Sequence, residues 1–408
     1  MKIWIVSDGE PLPVDNENVR LRRMGNLASI LSERGHEVLW FSSNFEHYNK
    51  IFRTETDAVF PINKNYKIVL LATKGYKRNV SLARLLHFKL FAKKFATIAK
   101  ELSKPDVILT TMAPIQASRE VEKFATEYKV PFVVDIRDLW PEIYYEVTPK
   151  ISHPLIKILV ENNIKTLKQI LQKSTGIVGV TAKFLEYGLN VADMKRRYTD
   201  SVFHTAYPDI IKKDKCLTDD WNNNGLEDGD FVVTFVGNFG KQFDLETVFK
   251  AIDLIDEKKI KFVLCGVGEK YDYYVQKYKN NDHVILPGWV GKNEIVSLLK
   301  RSSVGVAPYI DSINFRLNMP NKFGEYLAAS LPVLVGVSGM MEEMLNENNN
   351  GYHYSNEYEL KDKILKLYND ERLLKDMSSA SRNLYINQFN VGTVYTQFAK
   401  YLENIGMR

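Results

Sequence analysis

Short apolar runs alternate with amphipathic helical patterns along this chain, and the alternation starts twice. In the first half Ile3–Val6, Glu37–Phe41, Ile68–Ala72, Val107–Thr111, Phe132–Asp135 and Gly176–Val180 read as strands. Helical segments such as Arg20–Glu33, Leu82–Leu102 and Pro114–Tyr128 separate them. Strands joined by helices of that length call for parallel neighbours and right-handed crossovers. The pattern lapses from about Phe203, ends in the polar run Asp219–Asp230, and resumes at Phe231–Val236. Strands Lys261–Cys265, Val284–Leu286, Val304–Ala307 and Val333–Val337 follow, with helices Leu245–Asp256, Tyr271–Lys279 and Lys292–Ser302 among them. A chain of 408 residues is too long for one core,. The predicted class is α/β, with two doubly wound domains at 1–205 and 231–384 and a linker at 206–230. Ligands of such sheets bind outside the carboxyl ends of the strands.

Against that frame one stretch concentrates chemistry: Asn318-Met319-Pro320-Asn321-Lys322-Phe323-Gly324-Glu325-Tyr326-Leu327-Ala328-Ala329-Ser330-Leu331-Pro332. Asn318 is predicted to cap a helix, with Pro320 in its first turn, where N–H groups lack intrahelical partners. Phe323 and Leu327 form its apolar stripe. Lys322 and Glu325, three residues apart, share a face and stand roughly 4.5 Å apart along the axis. Free amides with a lysine suit a phosphate, and a carboxylate one turn on suits a diol. The plainer alternative is an ordinary surface ion pair.

Composition narrows the partners. No stretch of about 18 apolar residues is present to span a bilayer. The start, Met1–Asp8, reads as a strand and turn, not a signal peptide,. Cys216 and Cys265 make no metal or redox spacing, and a reducing, cytoplasmic setting is expected,. Residues 1–210 hold 31 Lys and Arg against 23 Asp and Glu, whereas the remainder holds 24 against 27, so the two halves are expected to meet different partners,.

Small and polar residues mark the strand tips of the second half. Gly237-Asn238-Phe239-Gly240-Lys241 follows one strand, Gly266-Val267-Gly268-Glu269 the next, and Pro287-Gly288-Trp289-Val290 a third. Each glycine lets a ligand or a neighbouring backbone come close. Three tips and the Lys322 helix on one edge say more together than any one of them.

In this order, these motifs resemble the C-terminal half of the family-4 retaining glycosyltransferases of the GT-B type. In the first half Val134-Asp135-Ile136-Arg137-Asp138-Leu139-Trp140-Pro141-Glu142 resembles a motif of the branch that builds bacterial surface polysaccharides, and Arg34-Gly35-His36-Glu37-Val38 resembles the second strand of that fold. The resemblance implies two Rossmann-like domains facing across a cleft, with a C-terminal helix at 385–408 returning to the first. It implies that Glu325 binds the donor ribose and Lys322 lies near the diphosphate. Gly288, Trp289 and Val290 would line the base site, with Gly237, Asn238 and Gly266 near phosphates or sugar and Pro320 and Asn321 opening the helix.

The family pattern also puts a glutamate eight positions before Glu325, where this chain has Leu317. An arginine expected after the strand-tip glycine is Asn238, a lysine five positions later is Phe243, and a helix-ending glycine is Ser330. Lys322 is therefore the expected diphosphate cation, with Lys241 and Arg316 as substitutes.

Breaking an anomeric bond to a nucleotide puts charge on phosphate oxygen, which preorganised amides and cations stabilise. No metal and no other cofactor is expected. Asp228-Gly229-Asp230, the only D-x-D-like match, reads as a turn. Asp138 is the candidate to receive or orient the acceptor hydroxyl's proton, and Arg137 to contact a phosphate. Asp135, Glu142 and Arg20 are the candidate acceptor contacts. An internal Asp135–Arg137 pair is the structural alternative, and His36 and His47 read as structural.

Lys77, Arg78, Arg84, Lys89, Lys93, Lys94 and Lys100 interleave with Leu82, Leu85, Leu86, Phe88, Phe91, Phe95 and Ile98. Such a basic amphipathic helix reads as a peripheral contact with an inner-leaflet membrane surface, or as a core helix with a solvated basic face. Nucleic acid is not expected as a partner. The predicted activity is transfer of a hexosyl or N-acetylhexosaminyl group from a nucleotide sugar, UDP-linked by expectation, to a lipid-linked or saccharide acceptor. A nucleotide-sugar 2-epimerase and a non-catalytic nucleotide-sugar-binding protein are the alternatives.

Overall fold

The computed structural model describes residues 1–16, 19–142, 144–145, 148, 151, 153–210 and 220–407. It divides into two compact units, Met1–His204 with Val394–Arg408, and Thr205–Thr393.

The first unit is built on an 8-stranded sheet. Its strands are β1 (Lys2–Val6), β2 (Glu37–Ser43), β3 (Ala58–Asn63), β4 (Tyr66–Leu71), β5 (Val107–Thr111), β6 (Phe132–Ile136), β7 (Gly176–Gly179) and β8 (Ser201–Val202). They lie in the order β8-β7-β6-β5-β1-β2-β4-β3. Every pair is parallel except β3 with β4, an antiparallel hairpin at the edge. The periodicity reading found β4 but not β3, whose alternate residues are exposed and whose Pro61 suits only an edge,. The central strands are apolar and buried on both faces, as helix-covered parallel strands must be,.

Helix α1 (Arg23–Glu33) starts three residues after the predicted Arg20, which leaves Arg20 exposed in the preceding loop. Helices α2 (Leu82–Ala99), α3 (Ile115–Tyr128), α4 (His153–Lys173) and α5 (Ala182–Ala192) complete the crossovers. Ser81 caps α2, accepting from the Arg84 N–H at 3.2 Å. Phe88, Phe91 and Phe95 of α2 are buried, and Phe95 meets Phe41 edge-on at 5.2 Å.

The second unit has strands β9 (Phe231–Val236), β10 (Ile260–Cys265), β11 (Val284–Ile285), β12 (Val304–Ala307), β13 (Val333–Val335) and β14 (Gly351–His353). The order is β11-β10-β9-β12-β13-β14, parallel throughout. Its helices are α6 (Leu245–Ile252), α7 (Tyr271–Tyr278), α8 (Lys292–Arg301), α9 (Ile313–Leu317), α10 (Asn321–Ala328), α11 (Met340–Asn348), α12 (Glu357–Asn369) and α13 (Glu371–Leu384). Residues 206–230, read from sequence as a linker, fall within this unit. Trp221 and Leu226 are buried there against Val232, Val263 and Leu298. Residues 211–219, with Cys216, lie outside the described residues. Asp228 and Gly229 form a turn, with Gly229 at φ +85°.

The last helix, α14 (Val391–Gly406), belongs to the first unit from Val394 onward. Phe398 stacks on Phe203 at 4.5 Å, and the Tyr401 hydroxyl donates to the Thr199 carbonyl at 2.6 Å. No described helix is long and apolar enough to cross a membrane.

Candidate functional site

The α10 helix is placed by what lies beneath it. Phe323, Tyr326, Leu327 and Ala328 are buried, and burying a large apolar side chain is worth about 1.5–3 kcal/mol,. The Tyr326 hydroxyl donates to the Val306 carbonyl at 3.1 Å and accepts from the Val236 N–H at 3.3 Å, which fastens the helix to β9 and β12. Tyr207 supports its first turn: the Tyr207 hydroxyl donates to Asn321 Oδ1 at 2.9 Å. A β-carbon on Gly324 would sit 2.0 Å from the Tyr207 ring, so only glycine admits that ring. Ser330 ends the element in the left-handed conformation, at φ +61°.

The expected capping is corrected. Pro320, not Asn318, is the N-cap residue of α10, and no side chain caps it. Asn318 instead closes α9, its Oδ1 accepting from the Met319 N–H at 2.8 Å. A proline preceded by a second short helix shifts the start by two residues. The Lys322 N–H of the first turn donates to the Tyr309 hydroxyl. Burial and the Glu325 carboxylate raise the pKa of that hydroxyl, and the amide partly offsets them.

Lys322 and Glu325 are both half-buried. The Lys322 ammonium lies 4.8 Å from the Phe243 ring centroid and 5.4 Å from that of Phe235. It reaches under the β9 tip, 2.6 Å from where a β-carbon on Gly237 would stand. Gly237 and Lys322, far apart in sequence, therefore meet. Glu325 acts electrostatically on the buried hydroxyls of Tyr309 and Tyr326.

The other tip glycines serve neighbouring backbone. Gly266, at φ +136°, leaves no room for a β-carbon, which would lie 1.8 Å from the Gly237 carbonyl oxygen. The Gly237 N–H donates to Cys265 at 2.9 Å and the Gly266 N–H to Gly288 at 2.7 Å, so three tips are stitched side by side. Beside Gly288, Trp289 is 77% exposed, an open aromatic face at a strand end, while Val290 packs inward. Asn238 is exposed and accepts from Gln242 at 2.7 Å. Lys241 is exposed 3.9 Å from Glu269. It lines, with Phe243, Tyr309 and Asp311, a cavity of about 580 Å³ that Lys322, Glu325 and Trp289 do not line. Arg316 is exposed and gripped by Asp311, which makes it a weaker substitute cation than its sequence position suggested.

In the first unit the β6 end holds Asp135, Arg137 and Asp138. Asp135 has no exposed surface and takes a two-point ion pair from Arg23, at 2.8 and 2.9 Å. Arg23 also donates to the Phe203 and His204 carbonyls at 2.7 and 3.2 Å. The expected internal pair of Asp135 with Arg137 is present at 3.6 Å, and Arg137 pairs more closely with Glu10. Asp135 thus reaches a ligand only through other side chains. Glu10 accepts from the Met24 N–H at 3.0 Å, at the start of α1. Burial opposes the charge of Arg137, but Glu10, Asp135 and Asp138 outweigh it and raise its pKa. Asp138 is exposed to solvent, yet surrounding protein raises its carboxyl, ahead of the lowering by Arg137 and a further rise from Asp135. Glu142 accepts from the Tyr187 hydroxyl at 2.6 Å.

Sequence reasoning passed over Arg23, Glu10, Tyr207 and Tyr309. Arg23 was legible: it stands one turn before Leu27 and two before Leu31, on the buried face of α1,. The other three depend on contacts between segments far apart in the chain.

The architecture, two units each with a parallel sheet and helical crossovers, is that of GT-B structures with two Rossmann-like domains. Residues 218–384 match the family described as Glycosyl transferases group 1. Sucrose-phosphate synthase from Thermosynechococcus elongatus is 14% identical, with 99% of this chain and 98% of that chain covered at a TM-score of 0.72. HepE from Anabaena, in complex with UDP, is also 14% identical, with 99% and 100% covered and a TM-score of 0.68. A Listeria monocytogenes protein assigned by name alone as a UDP-N-acetylglucosamine 2-epimerase is 13% identical, covering 97% and 94%, with a TM-score of 0.61. At such identities the likenesses establish the fold, and the reaction is argued from the site.

Proposed function

We propose that this protein is a retaining glycosyltransferase that moves a hexosyl or N-acetylhexosaminyl group from a UDP-sugar to a lipid-linked or saccharide acceptor, without a metal, in surface-polysaccharide synthesis. The observation that carries this reading is the meeting of Gly237 and Lys322 beneath the β9 tip, with Glu325 one helical turn further on. In this reading the Lys322 ammonium neutralises charge growing on the leaving diphosphate. Glu325 accepts from the ribose hydroxyls, and Trp289 offers its face to the base. Asp138 takes or orients the acceptor proton; a raised carboxyl is the better base for an alcohol,. Support for the donor comes from the UDP-bound neighbour and the matched family.

The epimerase neighbour gives the second reading its footing. Incubating the chain with UDP-sugars separates them. A transferase releases UDP only when an acceptor is present, and an epimerase converts the donor sugar without one. Formation of a 2-epimer with no acceptor overturns the proposal. Transfer that persists in EDTA supports the metal-free mechanism, and a strict Mn²⁺ requirement refutes it.

Peripheral association with an anionic inner leaflet at the cytoplasmic face is part of the proposal. Lys89 and Lys93 are exposed on α2, beside Leu86, which is 57% exposed. Lys94 pairs with Asp57 at 2.6 Å. Replacing Lys89 and Lys93 with Glu is expected to lower sedimentation with anionic vesicles; unchanged sedimentation leaves α2 a core helix with a solvated face.

A further inference from the structure

A second cationic centre lies in the first unit, around the Tyr76 ring. Arg84, in the first turn of α2, spreads its guanidinium over three rings, 5.4 Å from the Tyr76 centroid, 5.1 Å from Phe88 and 5.9 Å from Trp140. Lys50 comes from the loop after β2 and places its ammonium 4.6 Å from the centroid of the same Tyr76 ring. Two cations thus share one aromatic ring.

Among the described residues neither Arg84 nor Lys50 meets a carboxylate at ion-pair distance; their polar contacts are Tyr76, the Asn79 carbonyl and the Asn79 and His47 side chains. Asp8, whose charge reaches His47 and Tyr76, is taken by His87 at 2.8 Å and by the Ser43 N–H at 3.1 Å. Glu10 belongs to Arg137. The first turn of α2 carries no acidic residue to offset its positive end, and Arg84 adds to that end,.

The strain is visible in the neighbours. Burial and then Arg84 lower the pKa of Lys50. Burial, then Lys50 and Arg84, push His47 down to about 4, so this imidazole stays neutral at physiological pH. Two buried polar atoms find no partner, Arg84 Nε and His87 Nδ1, and His87 is only 1% exposed. A buried guanidinium nitrogen without an acceptor leaves the Arg84 charge incompletely compensated by the protein. Tyr48, 48% exposed, meets His47 edge-on at 5.2 Å and carries the Arg22 guanidinium 4.6 Å from its ring centroid, a further cation beside the pair.

We infer that Arg84 and Lys50 form a phosphate-binding subsite on the acceptor side, which takes a phosphate or diphosphate carried by the acceptor. This deepens the transferase reading and rests on it. A monoester or diphosphate fits because two cations and a helix start together match two negative charges. The acceptor then binds through its phosphate at one point and presents its hydroxyl elsewhere.

The test is calorimetric titration of the full chain with inorganic pyrophosphate, the donor site being filled with saturating UDP. Arg84→Gln and Lys50→Gln are each expected to weaken pyrophosphate at least about tenfold, as loss of a charge-assisted bond does, and to leave UDP affinity unchanged. Urea unfolding at the wild-type midpoint reports that the variants are folded, and Lys50→Gln stands in should Arg84→Gln fail to fold. Equal pyrophosphate affinity in wild type and variants overturns the subsite, as does wild type that takes up none. Absence of UDP binding by wild type sinks the donor reading instead, and the pyrophosphate comparison is then run without UDP. Geranyl diphosphate and glucose 6-phosphate separate the sources: tighter binding of the first assigns a lipid-linked phosphate, of the second a phosphorylated saccharide.

Discussion

The ammonium of Lys322 lies 2.6 Å from the point where a β-carbon on Gly237 would be, at the end of a different element 85 residues earlier in the chain. A methyl group there displaces the far end of a flexible side chain and meets the Phe235 ring at 3.0 Å, a contact that a shift of a few tenths of an ångström relieves, so the fold tolerates it while the cation is displaced. Gly237→Ala is therefore expected to keep its melting temperature within about 2 °C and still bind UDP more weakly. Lys322→Ala sets the scale, a loss of about 1–3 kcal/mol by calorimetry. If Gly237→Ala binds UDP as tightly as wild type, the position of Lys322 does not matter to the nucleotide.

Gly324 is the opposite case, although it lies on the same helix. Its missing side chain is filled by the Tyr207 ring, 2.0 Å from an added β-carbon, and Tyr207 is itself fixed. Its N–H donates to Phe389 at 2.7 Å and its carbonyl accepts from the Tyr385 hydroxyl at 3.0 Å. Overpacking of this kind costs about 1–3 kcal/mol. Gly324→Ala is expected to lower stability in urea by that amount, and the double variant with Tyr207→Ala to show non-additivity. Additive losses would mean that the ring relaxes freely.

Asp135 and Asp138, three residues apart, make a paired prediction. Asp135 is buried against Arg23, and removing one partner of a buried pair leaves an uncompensated charge at a cost of about 3–5 kcal/mol,. Arg23→Met is expected to unfold at much lower denaturant. Asp138→Asn, exposed at the strand end, should change stability by no more than about 0.5 kcal/mol and lower turnover by about two to four orders of magnitude,. Activity retained in Asp138→Asn would remove it from the proton's path.

These contrasts explain what the sequence disclosed. The doubly wound pattern was legible because buried parallel strands are near-continuous apolar runs, as in Phe231–Val236, and their crossovers have helical period,. The edge strand Ala58–Asn63 escaped because its exposed alternation with a proline carries no such run. Residues 206–230 looked like linker because they are polar on average, yet Trp221 and Leu226 hold part of them to the second sheet. At the site, the spacing of Lys322 and Glu325 was local and readable. That Lys322 turns beneath Gly237, that Tyr309 claims its amide, and that Arg23 claims Asp135 are long-range facts. The tip glycines marked close approaches, of neighbouring backbone at Gly266 as expected but of a lysine side chain at Gly237, and the approach of Tyr207 to Gly324 was not read at all.

The returning helix α14 gives a pH-dependent prediction. Glu403 accepts from Arg34 at 2.7 and 2.9 Å and meets His36 Nε2 at 2.7 Å, and Met1's amino group stands 3.4 Å from His36 Nδ1. Arg34 foremost, against the opposing effect of burial and with help from His36, lowers the Glu403 pKa to about 2. A carboxylate depressed in the folded state stabilises fully above its unfolded pKa, near 4.5, and that contribution fades as pH falls toward about 2,. Glu403→Gln is thus expected to be less stable than wild type by about 1–3 kcal/mol at pH 7, with the gap closing between about pH 4.5 and 2. Asp8, held near 2 by His87 against its own burial, titrates in the same range but equally in both proteins, so it cancels from the difference. Urea denaturation at a series of pH values reads the gap directly. A gap that is constant down to pH 2 would mean that Glu403 acts by packing, and that the α14 contact is not electrostatic.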